Sequence, residues 1–333
     1  MKATDHGEAI TQLAWLCPSA GSLLALARSA PPHAWTIMRN DPGSVLLVVR
    51  HGLEQNANPQ QISFPSLLTN ERVCQAAADG LETAGCEYAD WNGASLKSIL
   101  SACRQYARGS FKIAQLSGKC SEELAWLSGL LAPVGWLGAC ALEPDRVAAC
   151  FSDPEWKRRP SEVQEKLFGS DLAGLARRLN RRWRLPSWLA AITGNLGLSS
   201  EVASRLGADL ALFQTVQLAV LLCQEQGEGL ALSIGDQARN LAHALGISSE
   251  GLAHIRTEIT QSEGGCKEPE EWTSPYKAPL LSDLLTLAAE NRRLAKEPML
   301  QRLEGDVDAL QRALETIKAG EADRLQSQKL TAL

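Results

Sequence analysis

The chain has 333 residues, 45% of them hydrophobic, and a formal net charge of −5. That is ample apolar material for one large or two soluble globular domains, and a charge too mild to make nucleic acid or an anionic membrane a general partner. The nine cysteines are odd in number and contain no C-x-x-C, which fits buried thiols in a reducing cytosol, and the polar start MKATDHGEAI lacks the apolar core of an export signal. The longest apolar run, Leu218–Cys223, is too short to cross a bilayer, so no membrane insertion and a cytoplasmic location are expected.

In chain order, residues 10–28 and 33–51 read as two short helices separated by Ala30-Pro31-Pro32. Within the second, Asp41 is suited to cap a helix whose first residue is Pro42. A polar stretch at 52–62 reads as a loop, Phe64–Ala84 as an amphipathic helix, and Leu96–Leu116 as a longer one after Asp90-Trp91. Runs of β-branched residues are nearly absent outside Val45–Val49, which points to an all-α fold. In Glu122–Cys140, EELAWLSGLLAPVGWLGAC, apolar residues at 124, 127, 130, 131, 134 and 137 predict one helix buried around most of its circumference. A short helix follows at 144–150 and a charged surface excursion at 152–166, then Leu172–Arg184, a restart at Pro186-Ser187-Trp188, and Val202–Gln224.

Residues 263–279 have linker composition, and 280–333 return to apolar residues at alternating steps of three and four. The stripe Leu303, Val307, Leu310, Leu314 and Ile317, flanked by mixed charge, predicts a dimerising coiled-coil helix after a domain spanning 1–262. A helix folded back on that domain is the alternative.

Candidate chemistry is sparse. No histidine lies between His51 and His243, and His243 and His254, eleven residues apart on one expected helix, are too far apart to share a metal. Gly118-Lys119 lacks the earlier glycine and following hydroxyl of a phosphate loop, and nothing marks a Cys-His nucleophile pair. Arg177, Arg178, Arg181, Arg182 and Arg184 stand out, with no acid among them. The first four share a helix face opposite Leu175, Leu179 and Trp183, a candidate surface for an anion or partner. The expected alternative is a solvated face paired with acids such as Glu155, Glu162 and Glu165.

The central stretch resembles the "GLLHD-Φ-GK" helix of the HD superfamily of metal-dependent phosphohydrolases, with Ala132-Pro133 where that pattern has its His-Asp pair. The stretch LARRLNRRWRLPSWLAAITGNLGL, 175–198, resembles later helices of the same family, and Asp41-Pro42 the opening helix of HDOD domains, the HD-related output domains of bacterial signalling proteins. The resemblance spans roughly residues 30–225. It implies an all-α HD-like (HDOD) domain whose ligand positions are degenerate: Ala132, Pro133, Asn195 and Val220. A methyl, a pyrrolidine ring and an isopropyl group donate no electron pair, and one amide oxygen does not hold a transition metal against water.

The expectation is therefore no metal, no cofactor and no catalytic residue in this chain, and a regulatory or sensory role instead. Lys329-Leu330-Thr331-Ala332-Leu333 resembles the lead-in to the phosphoacceptor helix of bacterial histidine kinases, which implies the input module of such a kinase. The expected partners are a second copy through the C-terminal helix and a signalling protein or fused kinase. A divergent HD phosphohydrolase, and a nucleic-acid adaptor using residues 177–184, are the alternatives.

Overall fold

The computed structural model describes residues 3–13, 16, 18–19, 21–22, 25–26, 29–53, 62–82, 93–227 and 229–261. The chain divides into two units, Met1–Leu285 and Thr286–Leu333. The second lies outside the described residues, as do the expected linker 263–279 and the coiled-coil stripe. Among the described residues every regular element is a helix, as expected of an all-α chain.

Helix α1 spans Ala3–Thr11, α2 Pro31–Met38 and α3 Pro42–Gly52. The stretch 33–51 is thus two helices, and Asp41 is the reason. Its carboxylate accepts from the Gly43 backbone N–H at 2.9 Å and caps α3, while Pro42 needs no partner in the first turn. The same fully buried carboxylate accepts from Ser44 Oγ at 2.8 Å and the Ser19 N–H at 2.7 Å, tying the preceding segment to the cap. Phe64–Ala84 is also split, into α4 (Phe64–Leu67) and α5 (Glu71–Glu82), because Asn70 turns its side-chain oxygen onto the Arg72 N–H and starts a new helix.

Helix α6 (Ala94–Ser117) is the longest described, and it ends where Gly118 takes a left-handed φ of 63°. Gly118-Lys119 is therefore a helix stop, and the Lys119 ammonium donates to the Ala244 carbonyl at 2.6 Å. The expected single helix 122–140 is corrected to α7 (Glu122–Leu131) and α8 (Val134–Leu142). Pro133 lacks the N–H a continuous helix needs, and its ring would clash with the carbonyl four residues back. The Ala132 N–H closes a tighter turn onto the Gly129 carbonyl at 3.2 Å, and the Pro133 carbonyl accepts from Trp136 and Leu137 to start α8. By length and composition Glu122–Leu142 could cross a membrane, but here it is the packed centre of the fold.

Helices α9 (Pro144–Ser152), α10 (Pro160–Phe168), α11 (Leu172–Arg182) and α12 (Ser187–Asn195) follow. The expected helix 202–224 is α13 (Ser200–Arg205) plus α14 (Leu210–Glu225), broken by Gly207 at φ 93° and restarted by the Asp209 cap. His243 and His254 sit on separate helices, α15 (Ala238–Leu245) and α16 (Ser249–Gln261), with Gly246 at φ 75° between them.

Helix α6 packs along α7 and α14, with α16 also against it, and α11 bridges α8 and α12. Gly129 permits the close approach of α7 to α6: a Cβ there would meet the Tyr106 carbonyl oxygen at 2.5 Å and Ser110 Oγ at 2.6 Å. At the other end of α7, Glu123 accepts from Trp35 Nε1 at 2.7 Å and pairs with Arg39 at 3.1 Å. The Arg39 guanidinium in turn lies 4.4 Å from the Trp126 ring centroid, so α2 is clamped to α7 by charge, hydrogen bonds and a cation–π contact.

Candidate functional site

The break between α7 and α8 faces a small pocket. Ala132, Pro133, Gly135 and Trp136 line it from the break, Gln164 and Asp171 from α10 and the start of α11, and Thr193 and Leu196 from α12. Its volume is about 40 Å³. A single water needs roughly 10–15 Å³ on this measure, and ligand pockets run to several hundred, so the space suits a few waters and no nucleotide.

Most polar groups around it are already engaged in building the fold. Gln164 Oε1 accepts from the Leu172 N–H at 3.0 Å, and Asp171 Oδ1 from the Gly174 N–H at 2.8 Å, so both serve the start of α11. Thr193 Oγ1 donates to the Leu189 carbonyl at 3.0 Å and accepts from Asn180 Nδ2 at 2.8 Å. The buried Trp136 Nε1 has no partner among the described residues, but an indole N–H only donates and offers nothing to a cation. A Cβ on Gly135 would meet the Leu172 carbonyl oxygen at 2.2 Å, which shows how closely α8 and α11 close over the site.

Of the four degenerate positions, Ala132 and Pro133 line the pocket together, whereas Asn195 and Val220 do not. Asn195 is half-buried, with its amide N–H₂ donating back to the Ala191 carbonyl at 3.1 Å, and Val220 is fully buried on α14. Among the described residues no group of three or more His, Cys, Asp or Glu side chains is placed to hold a metal. The metal of an HD phosphohydrolase does not fit the residues present at Ala132 and Pro133. Gln164, Asp171 and Thr193 went unread as pocket residues because they meet only through tertiary packing. The one local signal was Asp171 before Leu172, a helix-start pattern.

The thiols are those of a core. Burial raises the Cys103 and Cys120 pKa values, and lifts that of Cys150 to about 11, so these sulfurs stay protonated and poorly nucleophilic near neutrality.

The arginine-rich helix differs from its expected bland form. Leu175, Leu179 and Trp183 do face the core, and all five arginines are exposed. Glu155 and Glu162, however, pair with Arg158 and Arg159 three residues away, and no carboxylate among the described residues pairs with any of the five. Arg177 donates to the Gly194 carbonyl at 3.1 Å, with its stem laid over that glycine, and Arg182 Nε donates to the Leu13 carbonyl at 3.2 Å. Arg184 sits at φ 52°, a left-handed backbone that costs an ordinary residue about 1–2 kcal/mol. Burial, then the charges of Arg182 and Arg184, push the Arg50 guanidinium below its ordinary value, which brings α3 into the same cationic cluster.

Comparison with known proteins agrees with this architecture. Residues 86–195 match the model of the HDOD domain. The chain is similar in structure to the MmoQ response regulator from Methylococcus capsulatus str. Bath, at a TM-score of 0.51 and 18% identity, over 74% of this chain and 99% of that one. A fragment of the same regulator aligns at a TM-score of 0.49 and 17% identity, covering 72% and 94% of the two chains. An HDOD domain protein with unknown function from Geobacter sulfurreducens aligns at a TM-score of 0.38 and 18% identity, over 86% and 97%. No curated protein matches the sequence. The matched stretch holds the broken central helix and most of the pocket lining, so residues 86–195 are similar to an HDOD domain in sequence, and the all-α fold is similar to that of the MmoQ response regulator.

Proposed function

We propose that this chain is a non-catalytic regulatory module of bacterial signal transduction and serves as the input part of a two-component histidine kinase. The observation that carries the regulatory reading is the pair Ala132-Pro133, packed into a 40 Å³ pocket whose Gln164, Asp171 and Thr193 are committed to neighbouring helices. A buried site of that kind changes by repacking of helices, and a partner that favours one packing biases the population. The purified protein is expected to carry no stoichiometric Fe, Mn or Zn by elemental analysis, and to hydrolyse neither nucleotides nor phosphodiesters when those metals are added. Metal retained near Ala132, Pro133, Asn195 and Val220, together with turnover, would instead make it a divergent HD phosphohydrolase.

The kinase part of the reading rests on the sequence of 280–333. Leu303, Val307, Leu310, Leu314 and Ile317 form an apolar stripe that a lone helix would expose, and pairing stabilises by roughly 1.5–3 kcal/mol per fully buried Leu or Ile. Sedimentation of the full chain is expected to give a dimer, and of a chain ending at Pro279, or of full-length Leu310→Asp, a monomer. Three identical monomers would mean that this helix does not pair, and the kinase-input reading would lose its support.

A further inference from the structure

The arginines of α11 carry a cost that the fold does not explain. Arg178, Arg181 and Arg182 lie at i, i+3 and i+4, where like charges destabilise a helix by about 0.2–0.5 kcal/mol per pair. Favourable interaction with the C-terminal end of the helix dipole accounts for one or two cations in the last turn, not for a cluster that also takes in Arg178 and Arg184. Arg177 and Arg182 have anchoring bonds to Gly194 and Leu13, whereas the guanidiniums of Arg178, Arg181 and Arg184 make no hydrogen bond or ion pair with any described residue. We propose that Arg178, Arg181, Arg182 and Arg184 form a docking surface for a carboxylate-rich segment of a partner protein.

Charge complementarity favours that occupant over the other polyanions. The cluster is purely arginine, whose planar fork matches a carboxylate bidentately and recurs at the centres of protein interfaces. A nucleic acid fits less well. The aromatics of this segment, Trp183 and Trp188, are only 1% and 5% exposed and give no platform for stacked bases. Arg178 to Arg182 spans only about 6 Å of helical rise, a footprint for few phosphates, and the chain's net charge of −5 opposes a long polyanion.

This surface rests on the regulatory reading, yet its test reads binding and not metal or turnover, so the two fail separately. Fluorescence anisotropy of a labelled hexaglutamate peptide against the full chain at low salt is expected to show saturable binding. Arg178→Glu with Arg182→Glu should weaken it about tenfold or more, equivalent to about 1.4 kcal/mol, while the melt stays cooperative and falls only slightly, by the lost Arg182 bond to Leu13. Arg178→Lys with Arg182→Lys should lose part of the affinity because the charge remains and the fork does not. Arg158→Glu with Arg159→Glu, whose guanidiniums already pair with Glu155 and Glu162, should change little. Equal binding by wild type and the 178/182 glutamate variant overturns the proposal. So does tighter binding of a duplex DNA oligonucleotide through the same two arginines.

Discussion

Gly129→Leu should leave the protein unable to reach its native state, with the chain recovered as aggregate or as a species lacking a cooperative melt. The position where α7 crosses α6 has no room for even one extra carbon: a Cβ would stand 2.5 Å from the Tyr106 carbonyl oxygen and 2.8 Å from its carbon. A flexible side chain could swing aside, but main chain in the middle of a long helix cannot move without breaking its own hydrogen bonds. Gly129→Ala gives the graded version. Alanine in a helix gains up to about 1 kcal/mol over glycine, yet overpacking here costs about 1–3 kcal/mol or more, so the net sign is destabilising. Gly118→Ala separates crowding from backbone strain, because nothing lies within 4 Å of its Cβ and only the φ of 63° is penalised, at about 1–2 kcal/mol. Urea midpoints of the three variants check the order. Gly129→Ala at or above wild-type stability would mean that the two helices are not in contact as described.

The second large effect is expected at Asp41. Its buried carboxylate holds the Gly43 N–H, the Ser19 N–H and Ser44 Oγ, and Asp41→Ala leaves all three donors facing an apolar methyl. Hydrogen bonds to a charged group contribute about 1.5–3 kcal/mol each, and context makes them less than additive, so a loss of about 3–5 kcal/mol is expected. At about 2–4 °C per kcal/mol for a domain of this size, the melting temperature should fall by roughly 6–20 °C. Asp41→Asn keeps one acceptor for the cap but turns an N–H₂ toward another donor, and should fall between the two. A melt of Asp41→Ala within about 1 kcal/mol of wild type would show that the carboxylate is not the joint between the Ser19 segment and α3.

These two residues also mark how far the sequence could be read. Asp41-Pro42 was legible because a cap is local: the acceptor, the ring and the first turn lie within three residues. Its bond to Ser19, 22 residues away, was not, since a side chain with spare acceptors does not announce its distant partner. The helices themselves were legible from apolar spacing, but several of their breaks were missed. At Pro133, the apolar positions of α7 and α8 keep nearly the same phase across the break because both bury into one core, and periodicity alone reads straight through. At Asn70 and at Gly207 to Asp209 the stop and start residues were present and were outweighed by the flanking apolar pattern.

Site reading divided in the same way. Ala132 and Pro133 are adjacent in the chain and adjacent in the pocket, but Asn195 and Val220, inferred from a family pattern, stand outside its lining. The arginine face was legible as a face, because helical spacing alone defines it. Its neighbours were not. Two of the three acids named for it, Glu155 and Glu162, are taken by Arg158 and Arg159 on their own segment, and the nearby cation Arg50 comes from a helix more than a hundred residues earlier.

The break at Ala132-Pro133 also bears on how this protein can change over generations. A route to a metal centre at these two positions passes through single substitutions, and each is unfavourable by itself. Ala132→His places an imidazole where a side chain only 4% exposed now packs. Pro133→Asp removes the ring that sets the turn and leaves a carboxylate beside Trp136 with no cation to neutralise it, a burial that costs several kcal/mol. Neither step gains anything until the other, and further ligands, are in place, while proteins tolerate only a few kcal/mol before they unfold. The proline therefore acts as a ratchet. Substitutions on the exposed arginines meet no such barrier, so the surface of this fold is open to change one residue at a time while the packing at Ala132 and Pro133 is not.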